Sequence, residues 1–254
     1  MTNLSLPNGF TWDSSIHLGS PEVYRLSQQA WARFLIEESD FPDPILNFKI
    51  SAVEFAKRFN AYGIRETSSQ LLIAFIQAVH LEVDLTQGEL PDLGWRFSIQ
   101  NAAQTSVKNC VSLVEASVDL KFRGHGLLKL LLQKAMHEAI AQGFRTMIAP
   151  VRPGAKAQFP RETMEAYCTR QTPDQRIYDP WLRAHIESGG VMTNICHNSA
   201  LVRASLTNWR DWTGLSLEQS GREVISGALA PLEVNLEENL GTYREPNVWL
   251  KYTL

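Results

Sequence analysis

The chain has 254 residues, of which 44% are hydrophobic and 20% charged, and its formal net charge is −3 at pH 7. These values are typical of a soluble globular protein with one large or two small domains. The sequence lacks a dense run of lysine and arginine, so nucleic acid is not expected as a partner. It also lacks an apolar run of membrane-spanning length and a signal-peptide core, which favours a cytoplasmic protein.

The cysteines indicate neither a disulfide framework nor a zinc site. Cys110, Cys168 and Cys196 are odd in number and far apart. No Cys or His pair has the spacing of metal ligands. We therefore expect no metal.

The first part of the chain is predicted to be a helical extension. After an irregular arm, a helix begins at Ser20-Pro21, an N-cap followed by a proline at the first helical position. A second helix is predicted over residues 51–60. We divide the chain into this extension, residues 1–65, packed on a domain of residues 66–254.

Two β-strands are predicted next. Residues 71–85 are rich in isoleucine, valine and phenylalanine, and their later half alternates strictly, which favours one strand or two joined by a tight turn. Residues 110–118 form the next strand, in which the apolar phase slips by one residue near Leu113–Val114. A β-bulge produces such a slip, and so does burial of both faces, and the pattern alone does not decide.

A β-α-β unit follows. Residues 127–142 carry an apolar stripe at helical spacing that ends at Gly143, and residues 145–151 form the second strand. Pro150 lies inside that strand, where it cannot donate a ladder hydrogen bond. The two parallel strands are therefore predicted to splay apart and to leave a slot with unpaired backbone groups.

The remaining chain is predicted to close the sheet. Residues 152–179 are rich in proline and charge and are interpreted as an insertion. The next helix has Asp179 as its cap, Pro180 at its first position and Gly189 after its end. Several apolar segments beyond it indicate further strands.

The loop Arg123-Gly124-His125-Gly126 connects the strand of residues 110–118 to the long helix. Glycines let the backbone turn and expose successive N–H groups, while the helix N-terminus and Arg123 add positive charge. The loop lacks the Gly-Lys-Ser/Thr of a P-loop and the third glycine of the dinucleotide fingerprint. From spacing alone, a phosphate site and a plain turn are equally good interpretations.

The stretch LKFRGHGLLKLLLQKAMHEAIAQGFRTMIAPV, however, resembles motif A of the GNAT acyltransferase superfamily. In that motif, Gln/Arg-x-x-Gly-x-Gly/Ala links a bulged strand to a helix and holds the pyrophosphate of coenzyme A. Lys121, Gly124 and Gly126 fill it here, and Lys121 departs from the usual Gln or Arg. From about residue 70 onward, the chain also resembles a group of long bacterial GNAT proteins.

The resemblance implies an α/β (α+β) fold: a mixed, mainly antiparallel sheet with a central splayed parallel pair and helices on both faces. It implies coenzyme A or acyl-CoA as co-substrate. Arg152 and Lys156 follow the second strand, at the edge where ligands of parallel sheets gather, and are candidates for its phosphates or for an acidic acceptor. The predicted coenzyme A residues are Ala116, Ser117, Val118, Arg123, Gly124, His125, Gly126, Leu127, Leu128, Arg152 and Lys156.

The implied activity is transfer of an acetyl or other acyl group to an amine, on a small molecule or a peptide, by direct attack on the thioester. A backbone N–H of the bulged strand would stabilise the oxyanion. Two alternatives stay open: a non-catalytic acyl-CoA-binding or sensing module, and an enzyme for long-chain or carrier-protein-bound thioesters. A homodimer is compatible with the sequence.

Candidate catalytic residues follow from the same resemblance, in which the base is often a strand glutamate. Glu115 is the first candidate and Glu82 the second. His185 takes the place of the tyrosine in the family pattern Tyr-x-x-x-Gly-Phe, and its imidazolium would protonate the thiolate. Tyr167 and Tyr178 are rival proton donors. Each of these residues also has a purely structural interpretation.

Overall fold

A mostly antiparallel sheet of nine strands carries helices on both faces, in a computed structural model that describes residues 4–17, 19–37, 40, 57–86, 88–104 and 106–254. The strands are β1 (Phe10–Asp13), β2 (Phe59–Glu66), β3 (Leu72–Leu81), β4 (Cys110–Val118), β5 (Thr146–Val151), β6 (Val191–Ser205), β7 (Gly221–Glu223), β8 (Leu232–Asn235) and β9 (Leu240–Thr253). The helices are α1 (Pro21–Ala30), α2 (Gly94–Gln104), α3 (Leu127–Ala141), α4 (Met164–Cys168), α5 (Pro180–Glu187) and α6 (Leu206–Thr213).

The strand order is β1-β2-β3-β4-β5-β9-β8-β7, and β6 pairs with the other edge of β9. Among the strands of the described residues, β4 and β5 are the parallel pair. Helices α3 and α5 contact each other over one face of the sheet, where the largest apolar core lies. Helices α1 and α2 contact β3 and β4, and a second core lies between α2 and the sheet. The predicted fold class is confirmed. None of the helices in the described ranges is long and apolar enough to cross a membrane.

The N-terminal segment contributes strands as well as a helix. α1 begins as predicted, with the Ser20 side chain accepting a hydrogen bond from the Val23 amide. The end predicted for the second helix is wrong, because Phe59 and Asn60 begin β2 and pair with β3, and this pairing outweighs the local pattern. Residues 51–56 lie outside the described residues. The division of the chain at residue 65 stays a prediction.

Helix α2 lies between β3 and β4, in a stretch for which no helix is predicted above. It begins at Gly94, whose φ of +47° suits glycine. A Cβ there would lie 2.4 Å from the Ser199 Oγ, so only glycine lets the helix approach β6 this closely. The preceding strand, β3, is continuous rather than split by a turn.

Asp179 attaches the predicted insertion to the sheet domain. Its Oδ1 accepts hydrogen bonds from the Trp181 and Leu182 amides and so caps α5, as predicted. Its Oδ2 accepts the Ala155 amide at 2.8 Å and the Tyr167 hydroxyl at 2.7 Å. One buried carboxylate therefore fixes both the start of α5 and the segment that follows β5.

Candidate active site

β4 and β5 pair over only a short distance. The register joins Val111 to Met147 and Ser112 to Ile148, and the two strands then continue without further pairing to each other. Pro150, which has no N–H, lies in the part of β5 that pairs with β9 but not with β4. The predicted splaying is confirmed, and it leaves a slot whose walls carry backbone groups that the sheet does not use.

The phase slip in β4 is a β-bulge. Gln77 of β3 pairs with Glu115, whereas its neighbour Ala78 pairs with Leu113, so Val114 is the extra residue. Because of the bulge, Val114 and Glu115 both face the side of the sheet that α1 and α2 cover. The bulge thus directs the Glu115 carboxylate toward α1.

The loop at the start of α3 presents backbone N–H groups. Gly124 and Gly126 have φ values of +81° and +73°, and no atom lies within 4 Å of a Cβ built on either. Gly126 caps α3 without a side chain. Among the described residues, the amides of Leu127, Leu128 and Lys129 have no acceptor, as is usual for a first helical turn. Open space, free amides and the positive end of the helix together suit an anion.

Arg123 and His125 are exposed on this loop. The Arg123 Nε donates to the Val118 carbonyl at 3.3 Å. The His125 Nδ1 lies 3.2 Å from the Phe122 carbonyl and 3.1 Å from that of Arg123, so its ring folds back on the loop. The predicted roles of Leu127 and Leu128 rest on their amides, because both side chains are buried.

At the end of β4 that borders the slot, the side chains of successive residues point to opposite faces of the sheet. Ala116 and Val118 pack toward the core beneath α3, while the buried Ser117 hydroxyl donates to Glu115 at 3.3 Å. The backbones of these three residues pair with β3 on one side, and on the other side they lie along the edge that β5 leaves unpaired. Their predicted contact with coenzyme A stays a prediction.

Glu115 is held by α1. Its Oε1 accepts from the Ser27 hydroxyl at 2.6 Å and from the Trp31 Nε1 at 3.0 Å. Among the described residues no group donates to its Oε2. The carboxylate is therefore fixed in orientation, with one oxygen left for a ligand or water.

Sequence reasoning does not find Ser27 and Trp31, which lie more than eighty residues before Glu115. One signal was available: Val23 and Ser27 share one face of α1, and Trp31, the residue that caps its end, continues the spacing of four. Only the packing of α1 on β4 shows what they bind.

Arg152 is already paired. Its guanidinium forms an ion pair with Glu245, donates to the Gly227 carbonyl at 2.5 Å and lies 5.7 Å from the centre of the Trp31 ring. The Tyr243 hydroxyl also donates to Glu245. These contacts neutralise the charge predicted to bind coenzyme A phosphates, and none of them involves the loop of residues 123–128.

Lys156 does not fit the predicted phosphate contact. Its side chain is buried, and its Nζ donates to the Phe159 and Leu229 carbonyls, both at 2.7 Å. Burial lowers the pKa of this ammonium. Its contacts link the insertion to the segment before β8, and this burial does not favour the predicted phosphate contact.

Glu82 lies at the wrong end of β3 to act with Glu115. Gln77 is the residue of β3 that lies opposite Glu115, and Glu82 follows it by five residues. At the rise of a β-strand, Glu82 therefore lies roughly 16 Å from that position. His80 faces α3, with its Nε2 2.7 Å from the Asn60 Nδ2. Burial lowers the pKa of His80 to about 4. The prediction of Glu82 as the alternative base is therefore not supported.

His185 is buried rather than open to the slot. Its Nδ1 lies 2.5 Å from the Tyr252 hydroxyl, and burial lowers the pKa of the ring to about 3. The ring is neutral at neutral pH, so the predicted imidazolium donor is not supported. Tyr167 donates to Asp179, and burial raises its pKa well above the usual range. Tyr178 packs against the rings of Phe159 and Tyr167.

Comparisons with known proteins agree with this geometry. No protein-family model matches the chain. The arginine N-acetyltransferase avaD of Aspergillus versicolor is 30% identical over 190 residues, which are 65% of this chain and 66% of that protein. The chain thus matches just under two thirds of the length of this curated relative.

Two solved structures share the fold along nearly the whole chain. The loading GNATL domain of CurA from Lyngbya majuscula superposes with a TM-score of 0.55 at 12% identity, covering 97% of this chain and 98% of that domain. The GphF GNAT-like decarboxylase, solved in complex with isobutyryl-CoA, gives 0.55 at 13% identity over 96% and 98%. Together with the bulged, splayed strand pair and the glycine loop, these similarities show that the chain has the GNAT fold.

Proposed function

We propose that the protein transfers an acyl group from acyl-CoA to an amine. The observation that carries this proposal is the position of the free amides of Leu127, Leu128 and Lys129, at the open end of the slot between β4 and β5. A diphosphate bound there would place the pantetheine arm along the unpaired edge of β4. Arg123 would add one positive charge beside the diphosphate.

The thioester would then lie beside the bulge. A backbone N–H left unpaired by the bulge would stabilise the oxyanion of the tetrahedral intermediate. Glu115 is a fixed carboxylate on the bulged strand, and it would accept a proton from the acceptor ammonium, directly or through a water. The free amine attacks the thioester carbon, the C–S bond breaks, and the second amine proton ends on the coenzyme A sulfur.

The acceptor is an amine, in keeping with the curated relative, which is named an arginine N-acetyltransferase. Arginine is therefore the first acceptor to test. Neither His185 nor Lys156 has a part in this mechanism, because both are buried and engaged elsewhere.

The test has two steps. Calorimetric titration with acetyl-CoA, longer acyl-CoAs and free coenzyme A measures donor binding, and thiol release with a panel of amines measures transfer. Micromolar acetyl-CoA binding and amine-dependent thiol release, lost in Glu115→Gln with binding retained, is the expected result. Absence of binding for every coenzyme A species contradicts the proposal, whereas binding without transfer to any amine indicates a sensing module.

A further inference from the structure

We propose that the acceptor binds in the cleft between α1 and strands β3 and β4, and that it is a primary amine with an apolar arm and no carboxylate. This inference rests on the proposed acyl transfer and narrows it to one class of acceptor. The cleft has a volume of about 420 Å³. Its walls come from the first two turns of α1 and from Gln77 and Glu115 on the paired strands.

One end of the cleft carries a single negative charge. Glu115 is the only charged side chain among the described residues that line it. The Glu115 Oε1 is occupied by Ser27 and Trp31, while nothing in the described chain donates to the Oε2. A carboxylate oxygen without a donor, beside the bulge that borders the slot, is a binding point for an ammonium group.

The described residues that line the cleft include no cation for a second, negative group on the ligand. Arg25 is the basic residue of α1, and it is held by Asp119 and by the Leu72 carbonyl, outside the lining. An α-carboxylate next to the reacting amine would therefore lie near Glu115 without a cation to neutralise it.

The remaining wall is apolar. Pro21, Val23 and Tyr24 line it, and the Tyr24 side chain is half exposed at the rim, where its ring can cover an aliphatic or aromatic arm. An amine with a hydrocarbon arm matches both ends of the cleft. A free amino acid with the same arm adds a carboxylate, for which the described lining has no cation.

Matched pairs that differ only in the carboxylate test this inference. Phenylalanine is compared with 2-phenylethylamine, tyrosine with tyramine, and arginine with agmatine, all with acetyl-CoA as donor. We expect kcat/KM to be at least tenfold higher for each decarboxylated partner. Equal values, or higher values for the amino acids, overturn the inference while leaving acyl transfer to amines in place.

A charge placed in the cleft sharpens the test. Tyr24→Arg supplies the missing cation at the rim and should shift the preference toward the amino acids by at least tenfold. Ile140→Arg adds the same charge on α3, where Ile140 is half exposed, and should leave the preference unchanged. An unchanged preference in Tyr24→Arg, or an equal shift in both variants, overturns the location.

Calorimetry separates failure of this inference from failure of the proposed function. If acetyl-CoA binds but neither member of any pair binds to the coenzyme A complex, the cleft is not an acceptor site. If acetyl-CoA itself does not bind, the proposed function fails first, and the inference fails with it.

Discussion

Replacing Gly126 by alanine should separate the cost of backbone strain from the loss of coenzyme A binding. Gly126 has a φ of +73°, and a Cβ there meets no protein atom within 4 Å. The variant should therefore fold, with a loss of about 1–2 kcal/mol from the left-handed conformation. For a domain of this size, such a loss lowers Tm by roughly 2–8 °C.

The same methyl group would lie where the diphosphate approaches the first amides of α3. Losing one charge-assisted hydrogen bond costs about 1.5–3 kcal/mol, which corresponds to roughly 10–150-fold weaker binding. Calorimetric titration with acetyl-CoA measures this effect, and thermal unfolding measures the strain in the same preparation.

Gly143 provides a matched control at the other end of α3. Its φ is +89°, and its surroundings are equally empty. Gly143→Ala should lower Tm by a similar amount and leave acetyl-CoA binding unchanged. If both variants weaken binding equally, or if Gly126→Ala binds acetyl-CoA normally, the glycine loop does not hold the diphosphate.

Three other predictions concern the surroundings of the slot. Trp31→Phe removes one of the hydrogen bonds to Glu115 and should lower kcat about tenfold with little change in the KM for acetyl-CoA, since a hydrogen bond to a charged group contributes about 1.5–3 kcal/mol. Lys156→Met leaves two buried carbonyls without a donor and should destabilise the fold by about 2–4 kcal/mol, read by denaturant unfolding, while acetyl-CoA affinity stays the same. Burial lowers the pKa of His80 to about 4 and that of His185 to about 3. Between pH 6.5 and about pH 4, the unfolded chain therefore binds more protons than the folded chain. The free energy of unfolding should therefore decrease as the pH is lowered through this window. At pH 5 each histidine should have reduced it by about 2 kcal/mol.

Specific results would contradict each of these. A rise in the KM for acetyl-CoA with unchanged kcat in Trp31→Phe would place the indole in donor binding instead. Weakened acetyl-CoA binding in a well-folded Lys156→Met would restore the phosphate role. If His80→Gln and His185→Gln unfold with the same dependence on pH as the parent chain, neither ring is held neutral by burial.

Local sequence patterns predict the backbone features around the slot well. The bulge, the proline in β5 and the glycine loop are all encoded within about forty consecutive residues. The bounds of β4 agree with the prediction because its apolar run is bounded by polar residues on both sides. Such features depend on backbone chemistry, which a few neighbouring residues determine.

The acceptor half depends on contacts between distant parts of the chain. Ser27 meets Glu115 only because α1 packs across β3 and β4. The pairing of Arg152 with Glu245 depends on β9 lying beside β5. Likewise, the burial of Lys156 and His185 is a property of packing, and a motif cannot show whether a cation points to solvent or into the core.

The sheet cannot be completed during folding until β9 is available. It pairs with β5, β6 and β8, although β5 lies about a hundred residues earlier in the chain. Until residues 240–253 have left the ribosome, β5 has only its short parallel partner, and its apolar edge is unpaired. Contacts of such long sequence separation slow folding and prolong exposure of that edge. The nascent chain should therefore depend on chaperones until its last strand is available, and chains shortened within β9 should be degraded rather than accumulate.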